Sequence, residues 1–207
     1  VGWLRNMFVR NTTQGEWMVN LILGYEDKEK REALFNSLLE SFPQITTLLY
    51  TINAKRNDSM QDLLPQVYSG SGYITEYLED FQFKISPKSF FQTNSAQAEI
   101  LYSSAKNLAD LNKEDIVYDL YTGTGTIAQF VARDAKYVIG IDSVPEAIEA
   151  AKESAEFNNI KYCNFFSGDM KNLFTDEFIT QNGKPNVIIT DPPRDGMHKK
   201  VIEQIKK

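Results

Sequence analysis

The chain has 207 residues, 42% of them hydrophobic and 24% charged, the composition of a globular protein with one large or two small domains. No apolar run approaches the roughly 20 residues that cross a membrane, no basic-then-apolar signal pattern opens the chain, and one cysteine, Cys163, with one histidine, His198, excludes an internal disulfide or multi-cysteine metal site and argues against zinc. The formal net charge of −6, divided as −2 over residues 1–88 and −4 over 89–207, argues against a broad nucleic-acid surface, because phosphate contacts need Lys and Arg; any such surface is a local patch or lies on further sequence.

These features fit a cytoplasmic protein, and a monomer is expected. Residues 1–27 read as two strands, Leu4 to Arg10 and Glu16 to Leu23, around the turn Asn11-Thr12-Thr13-Gln14-Gly15. Arg5 and Arg10 could face a phosphate, although solvated strand charges are the commoner outcome. Residues 28–41 read as a helix: Leu34, Leu38 and Phe42, and Phe35 and Leu39, recur at helical spacing, and Pro43 marks the end. Ile45 to Asn53 has strand composition, Asn57 to Leu64 is a loop or short helical turn, and Val67 to Glu79, with Gly70-Ser71-Gly72, reads as a hairpin or bulged strand. The order strand–strand–helix–strand–strand predicts a small α+β domain over residues 1–85.

Phe81 to Ser86 begins the crossover into a second domain, 86–207. The stretch Ser86-Pro87-Lys88-Ser89-Phe90-Phe91-Gln92-Thr93-Asn94 precedes a helix capped by Asn94 or Ser95 and running to about Leu108. Two adjacent aromatics followed by an amide read either as a platform for a nucleobase or as two core phenylalanines.

The centre of the chain is Tyr118-Asp119-Leu120-Tyr121-Thr122-Gly123-Thr124-Gly125-Thr126, with Val138 to Asp142 behind it. It reads as a buried strand from Ile116 to Leu120, a glycine loop, a helix from about Thr126, and a second buried strand. Gly123 and Gly125 remove side chains where the backbone turns and a ligand can approach. Asp142, about twenty residues on, can accept both hydroxyls of a ribose. The loop is neither the three-glycine dinucleotide fingerprint, since Ala128 stands at the third position, nor a G-x-x-x-x-G-K-[ST] phosphate loop. Its openness suits an adenosine carrying an amino-acid tail, which points to S-adenosyl-L-methionine; a structural turn is the alternative.

A helix from Ser143, with Pro145 in its first turn, runs through Phe157; Cys163 to Phe166 is a strand followed by Asp169, and Asn186 to Thr190 a strand followed by Asp191-Pro192-Pro193-Arg194-Asp195-Gly196. His198 to Lys207 begins another helix. Asp169 is placed to accept a bond from an adenine amino group, or is a solvated loop acid. Strands alternating with helices from residue 116 predict an α/β, Rossmann-like, doubly wound parallel sheet, with Tyr121, Asp142, Asp169 and Asp191 each at a strand's carboxyl end, where such sheets hold ligands.

Those four strand ends resemble a class I S-adenosylmethionine-dependent methyltransferase. S-P-K-S-F-F-Q-T-N, D-L-Y-T-G-T-G-T and D-P-P-R-D-G together resemble the RNA (uracil-5-)-methyltransferases of 23S rRNA and tRNA, and L-R-N-M-F-V-R-N, I-N-A-K-R-N-D and G-S-G-Y-I-T-E resemble that family's central domain. The resemblance covers nearly the whole chain. It implies a C-terminally truncated methyltransferase sheet preceded by a small RNA-facing domain, an RNA substrate with 23S rRNA favoured over tRNA, and cofactor contacts from Gln92, Tyr121, Asp142 and Asp191. Thr126 stands where an asparagine is frequent, Asp169 matches a cofactor-side position loosely, Phe90 would lie beside the target base, and Asp191 would also sit close to the uracil. The family's chemistry uses a cysteine thiolate that adds to carbon 6 of uracil and a glutamate base; the matching motifs are not in these 207 residues, and Cys163, inside a strand, reads as core packing. The resemblance therefore implies a fragment that holds the cofactor without the nucleophile. The rival readings are an amino-methyltransferase, whose D-P-P would be followed by an aromatic where Arg194 stands, and a non-catalytic RNA-binding module over residues 1–85.

Overall fold

The computed structural model describes residues 2–60 and 62–207; Gln61, within the expected 57–64 loop, lies outside the described residues. Two compact units emerge, one of Val1–Tyr77 with Lys84–Ser89 and one of Leu78–Phe83 with Phe90–Lys207.

In the first unit, β1 (Leu4–Asn11), β2 (Trp17–Leu23), α1 (Lys28–Ser41), β3 (Ile45–Ile52) and β4 (Gln66–Ser69) form a four-stranded sheet of order β1-β2-β3-β4. β1 and β2 are an antiparallel pair, β2 and β3 run parallel across the α1 crossover, and β4 returns antiparallel. Asp27 caps α1 by accepting the Lys30 N–H. The helix lays Phe35 against Val19, Leu21, Leu23, Leu48 and Tyr50 to form this unit's core.

The expected hairpin at 67–79 is corrected. β4 pairs only with β3, while β5 (Ile74–Leu78) pairs with β6 (Phe81–Ile85) in a separate two-stranded sheet. The glycine segment carries the chain from one sheet to the other. Gly70 lies so close to β3 that a Cβ would stand 2.1 Å from the Thr46 carbonyl oxygen, and the Gly72 N–H donates to Thr47 Oγ1 at 2.8 Å.

The two arginines of β1 both donate to backbone carbonyls. The Arg5 guanidinium donates to the carbonyls of Asn53, Lys55 and Asn57 and to Asp58, fastening the loop after β3. Arg10 donates to the Ser89 carbonyl at 2.7 Å, and its burial lowers its pKa.

The second unit holds α2 (Ser95–Ala109), β7 (Ile116–Leu120), α3 (Thr126–Ala132), β8 (Tyr137–Asp142), α4 (Pro145–Phe157), β9 (Cys163–Ser167), α5 (Met170–Leu173), α6 (Asp176–Asn182), β10 (Val187–Thr190) and α7 (Lys199–Ile205). The sheet order is β10-β7-β8-β9, parallel throughout. Alternate residues feed two layers, as a strand's period of two requires. Val117, Val138 and Phe165 meet Ala128, Val131, Ile148 and Ala151 of α3 and α4. Tyr118, Leu120, Ile139 and Ile141 meet Met170, Phe174, Phe178 and Val201 from the α5–α7 side. The sheet is thus covered on both faces, and the strand order reverses between β7 and β10.

Two short helices, α5 and α6, are absent from the sequence reading. Their signals were present: Asp169 caps α5, Thr175 caps α6 ahead of Asp176 and Glu177, and Gly183 follows the α6 end at φ 96°. The lone histidine is a cap as well, with His198 Nδ1 accepting the Lys200 N–H at the start of α7.

Candidate cofactor site

The reversal between β7 and β10 opens a crevice at the carboxyl ends of the strands. Tyr121 leaves β7 at φ 66°, a left-handed conformation that costs a non-glycine residue about 1 kcal/mol or more. The turn then closes through Thr122 N–H to Ile141 O at 3.0 Å and Gly125 N–H to Thr122 O at 2.9 Å.

The two loop glycines serve different ends. A Cβ on Gly125 would stand 2.8 Å from Phe165 Cε1 and 2.9 Å from the Ala151 Cβ, whereas a Cβ on Gly123 meets nothing within 4 Å. Gly125 therefore closes the loop onto the core, and Gly123 faces open space.

Asp142 ends β8 with its carboxylate held at both oxygens. Oδ2 accepts the Gly123 N–H and Oδ1 the Val144 N–H, each at 2.9 Å. Each oxygen keeps a lone pair for a further donor, so the pair of contacts orients the group without saturating it. Gly168 N–H donates to the Asp142 carbonyl at 2.9 Å, which brings the β9 end alongside. There Asp169 is exposed, accepts the Lys171 N–H at 3.1 Å and pairs with Lys171 Nζ at 2.9 Å; these contacts hold its pKa below the usual carboxylate value. Burial raises the Tyr121 hydroxyl pKa, and Asp169 adds to the rise.

The adjacent phenylalanines divide. Phe91 packs against Phe83, with ring centroids 5.9 Å apart, in a cluster with Phe81, Ala98, Tyr102 and Phe130. Phe90 is 74% exposed. Of the two readings of this pair, Phe91 takes the core one and Phe90 remains free for contact. Before them, Ser86 and Ser89 lock a turn, with the Ser89 N–H donating to the Ser86 carbonyl at 3.1 Å. Asn94 caps α2 through the Gln97 N–H.

Tyr102 of α2 was not anticipated. It is buried, and burial raises its pKa; Thr126 beside its hydroxyl opposes the rise, Asp191 and Asp119 reinforce it, and Gln92 again opposes it. The phenol thus lies beside the side chains of Thr126, at the start of α3, and Gln92, and within the field of the Asp191 carboxylate. The signal was in the sequence: Ala98 and Tyr102 share the one buried stripe of α2.

Asp119 stands inside β7, where its sequence context marks only a strand. It is 1% exposed and accepts the Thr122 hydroxyl at Oδ2, while Oδ1 has no hydrogen-bond partner of normal length. Burial pushes its carboxyl up to about 7; Thr122 and the Ala128 N–H oppose the rise, and Asp191 and Asp142 reinforce it. Among the described residues no Lys or Arg pairs with Asp119, Asp142 or Asp191. Such a rim suits a ligand with hydroxyl donors and positive charge.

Cys163 is inert. Its thiol lies 3.6 Å from the Ala128 carbonyl, and burial pushes its pKa to about 12. No group of three or more His, Cys, Asp or Glu among the described residues could hold a metal. No helix among them is long and apolar enough to cross a membrane.

A methyltransferase-domain family model matches residues 111–207. An uncharacterized RNA methyltransferase of Bacteroides thetaiotaomicron is 52% identical over 208 residues, covering 99% of this chain and 46% of the relative. Another, from Porphyromonas gingivalis, is 51% identical and covers 99% and 44%. The chain thus spans somewhat under half the length of these relatives. Among solved structures, the Pyrococcus abyssi tRNA (uracil-54, C5)-methyltransferase in complex with S-adenosyl-L-homocysteine superposes with a TM-score of 0.79 at 27% identity, over 99% of this chain and 47% of that one. The Methanocaldococcus jannaschii Trm5 structure in complex with adenosine, at TM-score 0.60 and 16% identity over 99% of this chain and 57% of that one, shares the fold alone.

Proposed function

We propose that this chain, which carries a class I methyltransferase domain and resembles the RNA (uracil-5-)-methyltransferases, is the donor-holding part of an enzyme that methylates carbon 5 of a uridine in RNA. The observation that supports the reading is the Asp142 carboxylate held by the Gly123 N–H at 2.9 Å at the carboxyl ends of parallel strands, and in this reading Gln92, Tyr121, Thr126 and Asp191 complete the donor site. S-adenosyl-L-methionine supplies an electrophilic methyl group on a sulfonium. Asp142 binds the ribose hydroxyls with the oxygen lone pairs left over from Gly123 and Val144. Gly123 gives the donor's tail room against the backbone, Tyr121 walls the rim, Gly125 keeps the loop closed, and Asp169 lines the β9 end. Gln92 and Thr126, held beside the Tyr102 hydroxyl, orient the donor toward Asp191 and the D-P-P-R turn. Phe90 offers an exposed ring for the uracil, and residues 1–85 supply RNA contacts.

Carbon 5 of uracil is a weak nucleophile until a thiolate adds to carbon 6. Cys163, the only cysteine in the chain, is half-buried inside β9 with its pKa pushed up to about 12 and is not that thiolate. In this reading the nucleophile and the base that removes the carbon 5 proton come from elsewhere in a protein of the relatives' length.

The test is methyl transfer from labelled donor to 23S rRNA and to tRNA, with base analysis of the product. A protein of the relatives' length should yield 5-methyluridine and the 207-residue chain should bind donor without transfer. A 6-methyladenine product would favour the amino-methyltransferase, and transfer by the chain alone would overturn the division of labour.

A further inference from the structure

A net charge of −6 leaves room only for a local basic patch, and one lies at the end of the second unit's sheet opposite the donor rim. A cavity of about 580 Å³ opens where β8 and β9 begin. Lys113, Arg133, Lys136 and Lys161 line it, and among the described residues no acidic one does. The six residues of β8 separate it from the Asp142 end, a span of about 17 Å. The four cations are not equally occupied. Arg133 pairs with Asp80 at 2.5 Å and lies over the Phe81 ring at 4.2 Å. Lys113 donates to the Arg133 carbonyl and keeps further N–H donors. Lys136 stands a loose 4.0 Å from Glu114, and Lys161 has no ion pair among the described residues. Nor does the carboxyl end of α4 need them, although lysines commonly cap free carbonyls at such ends. Asn159, at φ 56°, closes a backbone cap there: its N–H donates to the Glu156 carbonyl at 3.0 Å and the Ile160 N–H to the Ala155 carbonyl at 2.8 Å.

Resting on the reading that RNA is the substrate, we propose that this cavity holds the phosphodiester backbone of a single-stranded stretch of that RNA, away from the nucleotide being methylated. Lys113, Lys136 and Lys161 supply point charges that contact phosphate without reading sequence. Tyr162, 61% exposed beside Lys161 in the same lining, offers a ring on which a base stacks, the other half of a single-strand site. The path continues past Lys161. A neighbouring cavity of about 600 Å³ shares Asn159, Ile160 and Lys161 with the first and reaches Lys152, Asn164 and one acid, Glu156, so successive phosphates have room on both sides of one lysine. Such a surface adds affinity for RNA flanking the target without touching the donor, and it lies in the methyltransferase domain rather than in residues 1–85.

Anisotropy titration of the 207-residue chain with a fluorescein-labelled oligouridylate of about twelve nucleotides, from about 50 to 200 mM salt, tests this. Lys136→Gln combined with Lys161→Gln should weaken binding by about tenfold at the lower salt and make the log–log salt slope shallower by about 1.4, the share of two single-strand phosphate contacts. Tyr162→Ala should weaken binding by about fivefold or more while leaving the salt slope unchanged, because stacking is not screened. Lys184→Gln combined with Lys206→Gln removes the same charge from two exposed lysines elsewhere and should stay within about twofold of wild type. No loss in the Lys136 and Lys161 variant, or an equal loss in the Lys184 and Lys206 variant, would overturn the proposal. Displacement of the RNA by inorganic tripolyphosphate at equal phosphate concentration, with Tyr162→Ala binding as wild type does, would make this a site for free anions and overturn the RNA assignment. If the wild type binds no RNA the inference fails, and calorimetric titration of the same sample with S-adenosyl-L-methionine then decides separately whether the donor-holding reading stands.

Discussion

Gly123 and Gly125 occupy the same motif and should fail differently. Gly125→Ala places a Cβ 2.8 Å from Phe165 at φ 75° and should cost about 2–4 kcal/mol of stability, read as a lowered urea midpoint. Gly123→Ala meets open space and should cost about 1 kcal/mol from the left-handed backbone alone, yet weaken donor binding by at least about tenfold. Asp119 makes stability depend on pH. Its folded pKa of about 7 lies above the ordinary carboxylate value, so the unfolded chain ionises first as pH rises. Its contribution is fully present below about pH 4 and is lost as pH climbs through about 7, a change of about 2–4 kcal/mol. Urea midpoints from pH 4 to 8 should show that fall in wild type and lose it in Asp119→Asn.

The loop after β3 depends on one side chain. Arg5 donates to three carbonyls from a side chain only 9% exposed, and Arg5→Ala takes that donor from Asn53 and Lys55, while the Asn57 carbonyl keeps the Asn53 Nδ2 bond. The expected loss is about 2–3 kcal/mol, with little rescue by Arg5→Lys, because an ammonium cannot span the same fork. Strand β9 keeps Cys163 from chemistry: with a pKa near 12, the thiolate fraction at pH 8 is on the order of one in ten thousand. Iodoacetamide at pH 8 should leave the native protein unmodified and alkylate it promptly in 6 M guanidinium; rapid native alkylation would contradict the burial. Element boundaries were legible where apolar period and caps agreed, as for α1, β7 and α4. They were illegible at 67–79, because alternation defines a strand without naming its partner.

For the whole molecule, a net charge of −6 combines with two β1 arginines already spent on carbonyls. Titration of the chain with a uridine-containing RNA hairpin from 50 to 200 mM salt should therefore give a shallow dependence, with a log–log slope no steeper than about −3; a steeper slope would reveal a basic surface that these residues do not account for. The linear order of residues was enough to determine the layered α/β class, the strand ends that carry Tyr121, Asp142, Asp169 and Asp191, and the likeness to methyltransferases, because hydrophobic period, glycine spacing and terminal acids are local properties. Only the folded arrangement decided that Phe91 is core while Phe90 is exposed, that a Gly125 Cβ would meet Phe165, that Arg5 and Arg10 face carbonyls, and that Tyr102 and Asp119 are buried. Each of those depends on a neighbour distant in sequence, and a side chain's environment is set by what packs against it.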